Sequence, residues 1–502
     1  MHARWDIRIV LFICAVACAP AVGQASGADP RDHERRAIEA FEAGEYEAAA
    51  AAFRAQIELD PRNFVPRYNL SNALAAMGKS NAALAALERS IELGMSDYGR
   101  LRTDPALDPL RGLPRFERIV ENWDEIVRAQ RDARLERNRA LVGRGAERVT
   151  LDDLRVDVLS AYRPGSTEIG VEQIGLVAAW AESVLGVEPA AAHDAWVVVA
   201  MPDQAGFRRW SVASLGVDPA GVAAVGGAYM HDGKRLVTRD LSATLRHEFF
   251  HVLHWRDMDR RGQRHPFWIQ EGLASLVEDV DRAQGGDGRP IEIAPIEIAP
   301  IRVTPSWRTN IVKRNADLNT LLPLEELAGG GRRLFVGSRS LAHYAQARAM
   351  LRFLRERGEL SRWYRVYTTD SEIGFEADAS GLRAIEAVTG LDAGAFDAAF
   401  EAWVDGQREV PEELEDLGVS LGIGLSVGAG EGPRVSRMTA AGRRRTGLRP
   451  GDVLLTVDGM PVGETQELAR RLSALRPGQT VVVRYRRGRL YGETEIELTA
   501  GR

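Results

Sequence analysis

Apolar residues from about Arg31 to Leu93 recur at helical spacing, and the whole block then recurs. Gly44, Ala49, Phe53 and Glu58-Leu59 return with a period of 34 as Gly78, Ala83, Leu87 and Glu92-Leu93. A repeat of that length predicts two stacked helical pairs, the first ended by Pro61. Asp97 to Trp123, with Pro105, Pro109 and Pro114, predicts a capping helix, and the charge-rich Asp124 to Glu147 a linker helix. The period then changes. Leu154 to Leu159 alternates as a strand does, Val171 to Leu185 is amphipathic, and Ala195 to Ala200 is an apolar run stopped by Pro202. Gly226 to Met230 and Arg235 to Thr238 flank Asp232-Gly233, which predicts a hairpin leading into a helix with Asp240 or Ser242 as N-cap. Ile291 to Pro305 reads IEIAP, IEIAP, IRVTP, an extended edge or loop that either flanks a cleft or is an inert duplication. Gly329-Gly330-Gly331 predicts a flexible joint, and Leu341 to Leu354 an amphipathic helix. Phe396 to Val404 closes this region, and Pro411 to Glu415 begins a linker.

The hairpin leads into the stretch with candidate chemistry, Leu245 to Glu278, headed by His247-Glu248-Phe249-Phe250-His251. Residues four apart on a helix lie one above the other, so His247 and His251 can aim two imidazoles at one ion. Glu248 projects beside them and can act on water without being a ligand. A catalytic zinc takes three protein ligands and keeps one position open. Glu271 is the best third candidate, because Pro266 suits the first turn of a second helix carrying Glu271-Gly272-Leu273-Ala274. A lone H-E-x-x-H also suits a surface helix with satisfied histidines; the spaced glutamate favours the metal. His254 and His265 do not complete the helical pair and read as surface histidines or as supports behind the ligands.

H-E-x-x-H, a gap of nineteen residues and then E-x-x-A resembles the gluzincin metallopeptidases. The phrase P-F-W-I-Q-E-G-L-A-S is similar to the peptidase-MA-like branch, and HEFFH with a PDZ-like segment downstream resembles the glycyl aminopeptidases. The resemblance implies His247, His251 and Glu271 as Zn2+ ligands, Glu248 as general base, and protein or peptide substrates. It also implies a sheet edge that binds substrate backbone by strand addition, for which Gly226 to Met230 is the candidate. An oxyanion-stabilising side chain on a downstream helix would be Tyr344 or His343, both of which also suit simple helix packing. The aminopeptidase G-A-M-E-N motif is absent, so exopeptidase specificity has no support.

The repeats resemble tetratricopeptide repeats, whose groove would take a protein partner; packing against the next domain fits them equally. Leu417 to Ala500 resembles a PDZ domain of the bacterial protease type. The resemblance is carried by Leu421-Gly422-Ile423-Gly424, by Gly447-Leu448-Arg449-Pro450-Gly451-Asp452-Val453-Leu454 and by Val457-Asp458-Gly459. Thr465 to Leu475 would be its groove helix and Val481 to Tyr485 a strand. It implies binding of peptide C-termini by backbone N–H groups of the Leu421–Gly424 loop, or a groove that docks on its own protease domain.

Composition adds limits. The chain has 502 residues, 45% hydrophobic and 27% charged, with length for several soluble domains. A net charge of −6 gives no field for nucleic acid. Arg4, Arg8 and the short apolar run Ile9 to Val16 read as a signal peptide cleaved near Ala25. The alternative is a lipoprotein anchored at Cys18. Cys14 and Cys18 are the sole cysteines, so a mature chain beginning near Ala25 has neither disulfides nor a cysteine metal site. No later run is long enough to span a membrane.

The expected organisation is multidomain: a signal peptide (1–25), α-helical TPR-like repeats with a capping helix (31–123), a linker helix (124–147), an α+β zincin-like metallopeptidase domain (148–410) and a mainly-β PDZ domain (415–502). The expected function is an exported, periplasmic or secreted zinc metalloprotease with two binding modules. The alternative is a periplasmic TPR/PDZ scaffold with a weak or silent zinc site.

Overall fold

A computed structural model describes residues 12–13 and 30–501, apart from residues 144, 191–192, 216–225, 232, 284–298, 337–338, 412–413, 415–416, 427–431 and 464. Most of the expected signal peptide, Cys14, Cys18, the tandem run from Ile291 to Ile298 and Asp232 lie outside the described residues. Among the described residues no helix is long and apolar enough to cross a membrane.

Strand β1 (Phe12–Ile13) precedes four repeat helices, α1 (Pro30–Glu42), α2 (Tyr46–Leu59), α3 (Val65–Ala76) and α4 (Ser80–Glu92). Gly44 and Gly78 take the same place in the two interhelical turns, at φ +78° and +71°, a conformation that glycine adopts without strain. Ala49 and Ala83 are fully buried where the helices approach, and Phe53 and Leu87 fill the layer between them. Of the periodic residues, the alanines and the Phe53/Leu87 pair are packing residues, whereas Glu58-Leu59 and Glu92 lie on the surface. Beyond α5 (Tyr98–Thr103), a 3₁₀ segment (Pro105–Leu110) folds back on α3. Asp104 accepts hydrogen bonds there from Tyr68 Oη at 2.6 Å and Asn72 Nδ2 at 3.1 Å. Helix α6 (Pro114–Glu121) completes the cap.

Helix α7 (Trp123–Val142) is not the solvated linker its charge suggests. It buries Leu135, Arg134 and Asn138, and Arg134 donates to the Ala195 carbonyl at 3.0 Å. Long charged side chains carry enough apolar stem to form a packed face. The helix ends at Val142, short of the expected Glu147, which instead begins strand β2 (Glu147–Leu151).

The central sheet adds β3 (Val156–Ser160), then α8 (Pro164–Leu185), β4 (Trp196–Ala200), α9 (Gln204–Leu215), β5 (Gly227–Met230) and β6 (Arg235–Thr238). Its order is β1-β5-β6-β4-β3-β2, with β3, β4 and β6 parallel and the β2–β3 and β5–β6 pairs antiparallel. Alternation along β4 sorts the core: Trp196 and Val198 join the cluster with α8, whereas Val197 and Val199 join Leu135 of α7 and Phe207 and Trp210 of α9. The hairpin and the apolar strand match the sequence expectation. Strand β5 is the outer strand apart from the two-residue β1, whose Phe12 and Ile13 pair antiparallel with Tyr229 and Ala228.

Below the sheet lie α10 (Ala243–Arg261) and α11 (Phe267–Leu276), then the β7 (Val280–Arg282) and β8 (Ile301–Val303) ribbon and α12 (Trp307–Asp317). Helices α13 (Leu324–Gly329) and α14 (Gly331–Val336) meet at the three glycines, with Gly331 at φ +58°. Helix α15 (Ser340–Glu356) is expected to be amphipathic, yet it is buried from His343 to Leu354 because α11, α12 and α14 all pack against it. Gly272 permits this closeness: a Cβ there would stand 2.7 Å from Leu351 Cδ1 and 3.0 Å from the Ala347 carbonyl oxygen. Helices α16 (Leu360–Thr369), α17 (Leu382–Thr389) and α18 (Ala393–Asp405) close the domain.

The C-terminal domain is β-rich. It runs through β9 (Val419–Ser420), β10 (Gly424–Ser426), β11 (Arg434–Arg437), α19 (Ala440–Thr446), β12 (Val453–Val457), β13 (Met460–Pro461), α20 (Thr465–Ser473), β14 (Thr480–Arg487), β15 (Leu490–Glu497) and β16 (Thr499–Ala500). Leu448, Leu454, Leu468, Val481, Val483 and Ile496 form a core within it. Gly447 and Gly451 turn at positive φ around Asp452, which accepts from the Arg449 amide at 2.7 Å and pairs with Arg487 at 2.7 Å.

Candidate metal centre

Asp240 and not Ser242 caps the metal-candidate helix by its side chain. Its Oδ1 accepts from the amides of Ser242 at 2.8 Å and Thr244 at 3.2 Å. From Leu245 to Met258 every residue of α10 is buried, so this helix runs through the domain as a central rod. His247, Glu248 and His251 are each 3% exposed or less. Helix α11, started after Pro266, brings Glu271 underneath with no exposure.

The Nε2 atoms of His247 and His251 stand 3.1 Å apart, and Oε2 of Glu271 lies 3.4 and 3.6 Å from them. One ligand atom from each residue falls within 4.8 Å of the others. Atoms held about 2.0–2.1 Å from a tetrahedral zinc stand about 3.3 Å apart, so the triangle has the right size. The donor chemistry fits as well. Both Glu271 oxygens are buried without a hydrogen bond of ordinary geometry, a costly state that a cation relieves.

The protein groups alone already hold charge here. Burial works to lower the His247 pKa, but Glu271 and Glu278 outweigh it and push it up to about 10. Burial would raise the Glu271 carboxyl, but His251 and His247 hold it at about 2. Glu248 has no such cation to itself, and burial, its largest influence, pushes it up to about 8. Its Oε2 makes no hydrogen bond. Gly227 of β5 lies against its stem, where a Cβ would stand 2.8 Å from Glu248 Cγ.

Two residues that the sequence reading does not single out complete the centre. Glu278 Oε1 stands 2.7 Å from His247 Nδ1, and Arg308 grips the same carboxylate in a fork at 2.6 and 2.8 Å. Such a partner fixes the ring orientation of a ligating histidine. The available signal was an acidic pair, Glu278-Asp279, directly after the apolar Leu276-Val277. Arg246, fully buried beside His247, donates to the carbonyls of Val277 at 2.8 Å and Glu278.

Other histidines fall elsewhere. His254 and His265 are not on the surface: they are 0% and 3% exposed and pair at 2.8 Å, Nε2 to Nδ1, among Tyr364, Tyr367 and Phe375. Their register on α10 and its C-terminal turn points them into the core behind the centre. His343 turns away, with Nδ1 2.6 Å from the Leu334 carbonyl. Tyr344 faces the centre, its ring 6.5 Å from that of His247.

His247, Glu248, Glu278, Arg308 and Tyr344 line one cavity of about 330 Å³ with Gly226, Trp307 and Leu341. Two residues of α20, Glu467 and Arg470, line it too, so the C-terminal domain forms part of its wall.

Comparison with known proteins places two interaction modules around this centre. Residues 419–498 match the model of the PDZ domain, and residues 40–102 that of the tetratricopeptide repeat. Both are modules that bind proteins or peptides. A curated chloroplastic protein of Arabidopsis thaliana is 29% identical over 94 residues, which cover 18% of this chain and 28% of the plant protein. The match thus spans less than a third of that relative. Among solved structures, an aminopeptidase N family protein from Idiomarina loihiensis is similar at 12% identity, over 71% of this chain and 67% of that chain. The TM-score is 0.28, too low to carry a conclusion.

Proposed function

We propose that the chain is an exported zinc metallopeptidase of the gluzincin type, with its TPR and PDZ modules serving substrate or partner binding. The observation that carries this reading is the convergence of His247, His251 and Glu271 on one point, with His247 and Glu248 lining the adjoining cavity. Zinc, when bound there, acts as a Lewis acid and makes water a competent nucleophile near neutral pH. Glu248 takes the proton of the attacking water at Oε2 and passes it to the leaving amine. Tyr344, rather than His343, donates to the developing oxyanion, because it alone of the two faces the cavity. Glu278 and Arg308 hold His247 in its ligating orientation. Strand β5 offers extended backbone next to Glu248 for substrate pairing once cleavage of the expected signal peptide removes β1 from its edge.

The PDZ loop is the candidate site for peptide C-termini, although the Gly422 amide already donates to Ser420 Oγ at 3.0 Å. Protein purified without chelator should contain about one zinc per chain. His247→Ala or Glu271→Ala should lose most of it, and a casein-type assay should show chelator-sensitive turnover. Zinc near zero in the wild type would sink the reading. The rival, a scaffold with a silent site, draws on the two matched interaction modules. It would take over if the wild type bound partners through both modules and cleaved nothing.

A further inference from the structure

Helix α20 of the PDZ domain is fastened to the central domain by buried charge. Arg470 donates to Thr304 Oγ1 at 2.6 Å and to the Val280 carbonyl at 3.2 Å; Arg471 donates to the same carbonyl at 3.1 Å and to Asp281. Apolar contacts reinforce the joint. Ile169 of α8 packs on Val453, Leu455 and Tyr491, and Met460 enters the central core. Glu467, 8% exposed, accepts from Arg246 at 3.1 Å.

Arg246 is the residue before His247 and is fully buried. Its other partners are Gln173 Oε1 at 2.8 Å and the carbonyls of Val277 and Glu278. Among the described residues bonded to it, Glu467 is the one with a formal negative charge. A buried guanidinium without such a partner is strongly unfavourable. The carbonyls it holds belong to the corner from which Glu278 reaches Nδ1 of His247.

We propose that Glu467 is a positioning residue for the metal centre. By neutralising Arg246 it fixes the corner that aims Glu278 at His247, so the PDZ domain completes the site instead of hanging from it. This inference rests on the metal reading above.

The test uses the full chain. Glu467→Gln keeps the size of the side chain and leaves Arg246 uncompensated; Arg471, 3.6 Å from Glu467, keeps Asp281. Zinc affinity, read by competition with a chromophoric chelator, should fall about 10-fold or more, within the 10–100-fold known for lost contacts behind metal ligands. Tyr491→Ala loosens the same joint at Ile169 without touching Arg246, and its zinc affinity should stay near wild type. Unchanged affinity in Glu467→Gln overturns the proposal. An equal loss in Tyr491→Ala also overturns it, because the effect would then belong to domain docking in general. Should Glu467→Gln not fold, Glu467→Asp, which draws the charge back by one methylene, is read in the same way. A wild type that binds no zinc overturns the metal reading itself, which keeps the two failures apart.

Discussion

Glu248→Gln separates proton transfer from metal binding. The substitution keeps the size of a side chain that is 1% exposed and packed against Gly227, so the fold has little to absorb. General-base assistance is worth roughly 10²–10⁴ in rate. The structure points to the upper end, because the other carboxylates lining the cavity face cations or backbone donors; Asp279 stands 3.8 Å from Arg348 and from Arg470. Asp240 caps α10, Glu278 is gripped by Arg308, and Glu467 accepts from Arg246. No neighbour stands ready to replace Glu248, so turnover should fall about 10⁴-fold, or about 5 kcal/mol at 1.36 kcal/mol per decade. Zinc content and melting temperature should stay near wild type, since Glu248 is outside the ligand triangle. The assay is turnover of a verified peptide substrate, elemental zinc and thermal melting on paired preparations. Wild-type turnover in Glu248→Gln would refute the assignment of the base. Loss of zinc together with turnover would instead make Glu248 a ligand.

Two further perturbations test the frame around the centre. Asp194 accepts from Arg256 of α10 at 2.8 Å and from Trp196 Nε1 at 2.7 Å. Burial would raise its pKa, but Arg256 and Lys234 outweigh that and lower it. A depressed carboxyl contributes stability above its unfolded value of about 3.9 and loses it as pH falls through the folded value. Asp194→Asn should therefore cost about 3–5 kcal/mol at pH 7 in urea melts, shrinking below about pH 4; a deficit that ignored pH would refute the charge argument. Gly272→Ala should destabilise by about 1–3 kcal/mol, because its Cβ would meet the Ala347 carbonyl across the α11–α15 contact. An unchanged melting temperature would show that the two helices can part at no cost.

The sequence by itself determined what depends on local spacing. The period of 34 placed Gly44 and Gly78 in equivalent turns, because a turn needing positive φ recurs with the repeat. The i, i+4 histidines had to share a helix face, and Pro266 and the glycine turns around Asp452 marked element ends that the structure keeps. Tertiary structure decided whatever depends on which faces meet. The charged α7 became a packed layer because Leu135 joins the core on the sheet while Arg134 and Arg131 find partners there, in the Ala195 carbonyl and Asp157. His254 and His265 went into the core because α10 is surrounded on all sides, which its own polar pattern does not reveal. Adjacent residues on a helix point about 100° apart, and the packing of α15 decided that Tyr344 and not His343 faces the cavity. Glu278, Arg308, Arg246 and Glu467 are not neighbours in sequence, and their partnership exists only after folding. A charge pair across 221 positions leaves no periodic trace in one sequence, so the joint between PDZ helix and metal helix was legible only in three dimensions.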